Sequence, residues 1–137
     1  MTAYVPKSKS DDWSTPPDFY DKLNQEFGFD FDPCPLRPES DGLSIPWGQR
    51  NFCNPPYSQL KLWLRKGYEE SLLGKLVVFL IPSRTDTIAW HSYVVKADEV
   101  RFVKGRLRFG GCPNPAPFAS AVVVFRGNQV LYRRSAT

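Results

Sequence analysis

The tetrapeptide Asn54-Pro55-Pro56-Tyr57 constrains the fold more than any other stretch of the chain. Each proline fixes φ at about −65° and removes a backbone donor, so the pair predicts a stiff elbow whose carbonyls are unshared acceptors. The apolar run at 50–53 predicts a buried strand, and Ser58 begins a helical pattern. A strand, a rigid loop and a helix in this order predict a ligand site beyond the carboxyl end of the strand.

The residue types of this elbow favour the activation of a conjugated amine. An exocyclic amino group on a base donates its lone pair into the ring, so it is a poor nucleophile until hydrogen bonds draw it towards tetrahedral geometry. The Asn54 side-chain oxygen and the Pro55 carbonyl could each accept one N–H while Tyr57 stacks on the ring. Alternatively, Asn-Pro-Pro only starts a turn and Tyr57 is a core aromatic residue. The tetrapeptide alone leaves both interpretations open.

Composition predicts a folded domain with no membrane span and no metal site. Hydrophobic residues make up 42% of the chain and aromatic residues 15%, and no apolar run approaches the roughly 20 residues of a membrane helix. His91 is the only histidine, and the cysteines lack metal-ligand spacing, so we expect free thiols in a reducing cytoplasm at Cys34, Cys53 and Cys112. The net charge of +4 suits a polyanionic partner without requiring one.

Periodicity along the chain predicts an α/β fold. Residues 1–12 are polar and predict a flexible N-terminal arm, which leaves 13–137 as a single minimal domain. Ser14 or Thr15 is predicted to cap a helix with proline in its first turn and Gly28 at its end. Further helices are predicted at 58–74 and 88–96, and strands at 29–32, 75–82, 99–103, 119–125 and 128–133. This alternation, followed by a strand-rich end, favours a doubly wound sheet.

Four motifs, in this order, resemble those of one enzyme family. They are Trp13-Ser14-Thr15-Pro16, Glu26-Phe27-Gly28-Phe29-Asp30-Phe31-Asp32, Phe52-Cys53-Asn54-Pro55-Pro56-Tyr57 and Lys104-Gly105-Arg106-Leu107-Arg108-Phe109. Over about residues 13–125 the chain is similar to the phage-type DNA N-6-adenine methyltransferase (Dam) family, which uses S-adenosyl-L-methionine. The resemblance implies a reduced Rossmann-like (class I methyltransferase) fold with a mostly parallel sheet and an antiparallel C-terminal edge.

The resemblance also implies which residues form the site. The catalytic residues that hold the extruded adenine would be Asn54, Pro55, Pro56 and Tyr57. The cofactor's methionine end would contact Thr15 and Pro16, and its pocket would be lined by Asp32, Pro33 and Cys34. Asp41 is either a further cofactor contact or a solvated turn residue. Larger methyltransferases have a glycine-rich loop and a later acidic residue for the ribose, and neither is clear between Asp32 and Asn54.

Basic residues near the end of the matching region predict a contact with DNA. In an extended chain Lys104, Arg106 and Arg108 share one face. The family resemblance and the nearby Arg84 favour a phosphate-contacting stripe over a solvated edge. Phe109 is either a second aromatic residue against the adenine or a core residue. The chain is too short for a separate target-recognition domain, so we expect it to read a short site or to act as a homodimer.

The expected function is site-specific methylation of adenine in DNA, with the target base extruded from the helix or single-stranded. The resemblance implies a phage- or prophage-encoded protein in the cytoplasm of a bacterial host, related to restriction-modification. Two alternatives remain. One is a methyltransferase acting on RNA or on a protein amide nitrogen, although such enzymes normally keep the glycine-rich loop. The other is a degenerate, non-catalytic DNA-binding module of the same fold.

Overall fold

The computed structural model describes residues 14–35, 41–110 and 114–127. The helices are α1 (Pro17–Phe27), α2 (Leu60–Ser71) and α3 (Ile88–Ser92), and the strands are β1 (Arg50–Cys53), β2 (Leu76–Pro82), β3 (Glu99–Phe102) and β4 (Ser120–Arg126). A 3-10 turn at Tyr57–Gln59 precedes α2, and another at Val94–Lys96 follows α3. The predicted arm at 1–12, the predicted strand at 128–133 and Cys112 lie outside the described residues.

The four strands form a mixed sheet in the order β1-β2-β4-β3. Strands β1 and β2 are parallel, with Arg50 opposite Leu76, and α2 connects them. Strand β4 is antiparallel to both β2 and β3, so within the described residues the sheet is mostly antiparallel. The prediction of a mostly parallel sheet is therefore wrong. Strand β2 is buried on both faces. Such burial produces an unbroken apolar run whether the neighbouring strands are parallel or antiparallel, so the run did not indicate their direction.

The strand predicted at 29–32 is reduced to a single bridge beside β1. Phe31 pairs in parallel with Asn51. Its N–H donates to the Arg50 carbonyl at 3.3 Å, and its carbonyl accepts from the Phe52 N–H at 3.1 Å. Because the two segments run in the same direction, the residues after Phe31 lie near the carboxyl end of β1.

Helix α1 begins at prolines instead of at a hydroxyl cap. Its N-cap is Pro16, which makes no side-chain capping bond, so the predicted capping by Ser14 or Thr15 is wrong. Pro17 in the first turn needs no hydrogen-bond acceptor for its nitrogen. The predicted stop is confirmed, because Gly28 has φ of 64° and its N–H donates to the Asn24 carbonyl.

Helices cover both faces of the sheet and create two apolar cores. One face of the sheet packs against α1, with the buried side chains Leu23, Phe27, Phe52, Val78, Leu80, Phe109, Ala116, Val122 and Val124. The opposite face packs against α2 and α3, with the larger buried side chains Trp47, Trp63, Leu64, Phe79, Ile81, Trp90 and Phe125. Leu72 lies within the predicted helix 58–74, but it follows α2 and is 54% exposed. The molecule is thus a mixed α/β domain.

The short connection before β1 is anchored by a buried charged side chain. Glu70 accepts the Trp47 N–H at 3.0 Å, and Lys75 Nζ donates to the Trp47 carbonyl at 2.9 Å. The Trp47 indole N–H donates to the Gly42 carbonyl at 2.7 Å. These bonds attach the 41–49 segment to the end of α2 and the start of β2.

Candidate active site

A cleft of about 350 Å³ opens between the start of α1 and the carboxyl end of β1. This volume is within the range of small-molecule sites. Its walls come from three segments that are distant in sequence: Ser14, Thr15, Pro17, Tyr20, Asp21, Asp32, Cys34, Pro35, Phe52 and Asn54. Thr15, Asp32 and Cys34, which were predicted to contact a cofactor, therefore lie in one cleft with the predicted catalytic residue Asn54.

Backbone hydrogen bonds position these segments on the fold. Gly110 N–H donates to the Ser14 carbonyl at 2.9 Å within an antiparallel bridge. The Pro16 carbonyl accepts the Tyr20 N–H at 3.0 Å, which joins the 14–16 segment to the first turn of α1. The bridge of Phe31 to β1 sets the position of the 32–35 segment.

The Asn54 side chain is bonded at both ends of its amide. Its Nδ2 donates to Thr15 Oγ1 at 3.0 Å, and its Oδ1 accepts the Tyr57 hydroxyl at 3.3 Å. After it, the Gln59 N–H donates to the Pro56 carbonyl at 3.0 Å. The prediction of two unshared carbonyls is therefore wrong for Pro56. This turn engages the carbonyl of Pro56 and not that of Pro55.

Tyr57 is half-buried at the edge of a cluster of aromatic side chains. Its ring meets Phe118 edge to face, with centroids 5.4 Å apart, and Phe118 lies 5.9 Å from Phe109. The Arg84 guanidinium lies 5.9 Å from the centroid of the Phe118 ring. Burial raises the pKa of the Tyr57 hydroxyl, whereas the charge of Arg84 acts in the opposite direction. The hydroxyl therefore stays protonated near neutral pH and can donate to Asn54.

The cleft carries negative charge although the chain as a whole is basic. Asp21 and Asp32 both lie in its walls. Asp32 is exposed to the cleft, yet desolvation by the surrounding protein raises its pKa, while the Cys34 N–H bond to its Oδ1 at 2.9 Å acts in the opposite direction. Burial, followed by the charges of Asp32 and Asp21, raises the pKa of Tyr20. These groups favour a cationic ligand over an anionic one.

Three of the predicted cofactor residues lie outside the cleft wall. Pro16 is the N-cap of α1, directly after Thr15 in the chain, and Pro33 is buried between Asp32 and Cys34. Asp41 is exposed and bonded within its own turn, where its Oδ1 accepts the Leu43 N–H at 2.9 Å. The structure does not bring Asp41 to the cleft.

Several residues of the site were not predicted from the sequence. Tyr20 packs against the core under α1 and also lines the cleft, as does the neighbouring Asp21. Their position in the first turns of the helix after Thr15-Pro16 is the signal that could have identified them. Phe118 lies between Tyr57 and Phe109 and is two residues before β4, so a search for aromatic residues near strand ends would have found it.

The predicted basic residues are all on the surface. Arg84 is exposed beside Phe118. Lys104, Arg106 and Arg108 are each exposed as well. Leu107 between the two arginines is half-buried and Phe109 is 1% exposed, so the predicted alternation occurs although β3 ends at Phe102. The segment then reaches Gly110, which pairs with Ser14 at the cleft wall. The structure places Phe109 in the core.

Cys34 and Cys53 form no disulfide in the part of the chain that the structure describes. Over residues 14–35, 41–110 and 114–127, no group of three or more His, Cys, Asp or Glu side chains could hold a metal ion. No helix in the same part of the chain is long and apolar enough to cross a membrane.

Comparison with known proteins identifies a family. The model of the DNA N-6-adenine-methyltransferase (Dam) family matches residues 2–124, which include the cleft, the elbow and the basic segment. Comparisons with curated proteins and with solved structures gave no significant match. The family match nevertheless covers most of the chain. The chain therefore belongs to the DNA N-6-adenine-methyltransferase (Dam) family, and this membership indicates a methyltransferase that acts in DNA methylation.

Proposed function

We propose that the chain transfers a methyl group from S-adenosyl-L-methionine to the exocyclic N6 amine of adenine in DNA. The observation that carries this proposal is the position of Asn54. It lies in the wall of the cleft with Thr15, Asp32 and Cys34, and it is also the first residue of the elbow. The cleft that we assign to the cofactor therefore adjoins the acceptors that we assign to the target amine. Membership of the family gives both assignments a common reaction.

The residues of the cleft fit S-adenosyl-L-methionine chemically. The cofactor has a sulfonium and an ammonium group, which suit the carboxylates of Asp21 and Asp32. Its ribose hydroxyls suit the hydroxyl of Ser14, and its purine suits an aromatic wall that contains Tyr20. When bound, the cofactor supplies an electrophilic methyl group. We assign Asp32 and Cys34 to direct contact with it, Thr15 to packing of its carbon atoms against the methionine end, and Pro16 and Pro33 to the backbone that positions them.

The elbow supplies the acceptors for the target amine. Asn54 Oδ1 and the Pro55 carbonyl each accept one N–H, which directs the lone pair of the amine towards the methyl group and lowers the barrier by placement. The Tyr57 hydroxyl bond to Asn54 Oδ1, at 3.3 Å, is long for an O–H···O bond, so the amine N–H can replace it. Pro56 maintains the turn by accepting from Gln59.

Aromatic and basic residues beside the elbow bind the DNA. The base leaves the duplex, or is single-stranded from the start, and stacks on Tyr57. Arg84 lies beside the aromatic group of Tyr57 and Phe118, where it can contact a phosphate next to the extruded base. Lys104, Arg106 and Arg108 extend this positive surface towards the cleft wall.

The motif order supports further parts of the proposal. We infer a reduced class I methyltransferase domain over 13–137 that reads a short site or acts as a homodimer. Sedimentation of the free and DNA-bound chain would distinguish these two, and a monomer with strict preference for a long site would contradict both. The phage-type motif order supports a phage or prophage origin and action in the cytoplasm of a bacterial host.

A product assay with several substrates tests the function. The chain is incubated with methyl-labelled S-adenosyl-L-methionine and, separately, unmethylated duplex DNA, single-stranded DNA, RNA and a glutamine-containing peptide. We expect label in DNA, recovered after digestion as N6-methyladenine. Label confined to RNA or to the peptide would support the alternative substrates. DNA binding without transfer to any substrate would identify a non-catalytic module.

A further inference from the structure

We propose that Thr15 is a positioning residue that sets the orientation of the catalytic Asn54 amide. The inference rests on the proposed function, because it assigns to Thr15 a role in the same transfer reaction. It differs from a cofactor contact, since Thr15 would act on the target amine through Asn54. The observation is the hydrogen bond from Asn54 Nδ2 to Thr15 Oγ1 at 3.0 Å.

The orientation of this amide decides whether it can bind an amine. The two ends of an asparagine amide are chemically opposite, because Oδ1 only accepts hydrogen bonds and Nδ2 only donates them. A hydroxyl can donate or accept, so Thr15 supports the required orientation by giving Nδ2 an acceptor while Oδ1 is directed to the side where the Tyr57 hydroxyl now bonds. That acceptor is the one the amine requires. A rotated amide would present N–H groups to the N–H groups of the amine and could not activate it.

Thr15 is well placed to impose this orientation because its backbone is held on both sides. The Ser14 carbonyl accepts the Gly110 N–H at 2.9 Å, which ties the preceding residue to the basic segment. Pro16 follows, and a residue before proline has a restricted backbone. The Pro16 carbonyl accepts the Tyr20 N–H at 3.0 Å at the start of α1. The Thr15 hydroxyl is therefore presented by a bridge and a helix start.

Two substitutions separate the hydroxyl from the volume of the side chain. Thr15→Val keeps the shape of the side chain and removes the hydroxyl, whereas Thr15→Ser keeps the hydroxyl and removes a methyl group. At saturating cofactor and DNA, we expect Thr15→Val to lower kcat about 10- to 100-fold, the range expected for a misplaced catalytic group. Its cofactor Kd, measured by calorimetry, should stay within about threefold of the parent value. Thr15→Ser should restore kcat to within about threefold of the parent value.

Two kinetic results would overturn the proposal. One is a Thr15→Val enzyme with parental kcat. The other is a loss in Thr15→Val that appears only in cofactor affinity, which would make Thr15 a cofactor contact and nothing more.

A spectroscopic measurement tests the hydrogen bond without any turnover. The side-chain amide resonances of Asn54 in the ¹⁵N-labelled protein are identified by their absence in Asn54→Ala. We expect Thr15→Val to shift these resonances and to accelerate their exchange with solvent, whereas Thr15→Ser should resemble the parent. Unchanged resonances and exchange in Thr15→Val would refute the positioning role. If the parent methylated no substrate, the proposed function would fail while this measurement still reported on the Thr15–Asn54 contact.

Discussion

Tyr57 combines a ring and a hydroxyl whose contributions substitution can separate. We propose that the ring stacks on the target base, while the hydroxyl bonds Asn54 Oδ1 at 3.3 Å until the amine replaces it. Tyr57→Ala should therefore weaken both base extrusion and transfer by about 1–3 kcal/mol, the typical value of a base–aromatic stack. Tyr57→Phe keeps the ring and should retain most of the activity. Fluorescence of 2-aminopurine at the target position, measured beside the transfer rate, reports both effects.

The outcome for Tyr57→Phe decides between the two groups. If Tyr57→Phe lowers base extrusion and transfer as much as Tyr57→Ala does, the reaction depends on the hydroxyl and not on the stacked ring.

The residues of the site that could be predicted from the sequence are those whose setting depends on their immediate neighbours in the chain. The strand, elbow and helix around Asn54 follow from a few consecutive residues, and the structure has them there. The contact of Asn54 with Thr15 joins residues that are 39 positions apart, so it depends on how α1 packs against the sheet. Phe118 was missed for the same reason, because only the fold brings it to Tyr57.

Glu70 links α2 to the segment before β1, and its ionisation should make the stability of this link depend on pH. Burial raises its pKa, but bonds from Lys75, the Trp47 N–H and Lys66 outweigh burial and lower the pKa from 4.5 to about 2. A group with a lowered folded pKa stabilises the protein above its unfolded pKa and loses this contribution as the pH falls towards the folded value. The contribution of Glu70 to the free energy of unfolding should therefore be complete above about pH 4.5 and be lost as the pH falls towards about 2.

Comparison with Glu70→Gln isolates this effect, since the other carboxylates are common to both proteins. We expect the variant to be less stable than the parent at neutral pH, because Lys66 and Lys75 lose their buried partner. The difference in unfolding free energy, measured by urea denaturation, should shrink as the pH falls through this window. A difference that does not change with pH would mean that Glu70 contributes by shape and not by charge.

Elements were more predictable than the way they are assembled. The apolar run at 75–82 predicted β2, and the run at 119–125 predicted β4, each within one residue of the observed bounds. Their antiparallel pairing was not predicted, because burial of both faces produces the same pattern in either direction. The short segment at 29–32 has the alternation of a strand but forms only one bridge, since its continuation belongs to the cleft wall.

For the whole molecule, the exposed cations should determine how DNA binding depends on salt. Lys104, Arg106 and Arg108 are exposed on the segment that leads to the cleft wall. If each neutralises a phosphate, its replacement by alanine should weaken binding to all DNA sequences and reduce the salt slope by about 1. Cofactor affinity should not change. Lys61→Ala, which removes an exposed lysine on α2, is the matched control.

Titrations of binding against salt concentration measure these slopes. Parental slopes in all three variants would show that the segment is a charged surface without a role in DNA binding, and a slope lowered equally by Lys61→Ala would show that the effect is one of net charge.

The most direct test of the proposed mechanism is the kinetic separation in Asn54→Ala. We propose that Asn54 acts on the amine as the transition state forms, so its removal should lower the rate of transfer without weakening ground-state binding. Single-turnover transfer to unmethylated DNA is measured beside the affinities for S-adenosyl-L-methionine and DNA. We expect no detectable transfer, with both affinities within a few fold of the parent values. Transfer by Asn54→Ala at a rate near that of the parent would contradict it.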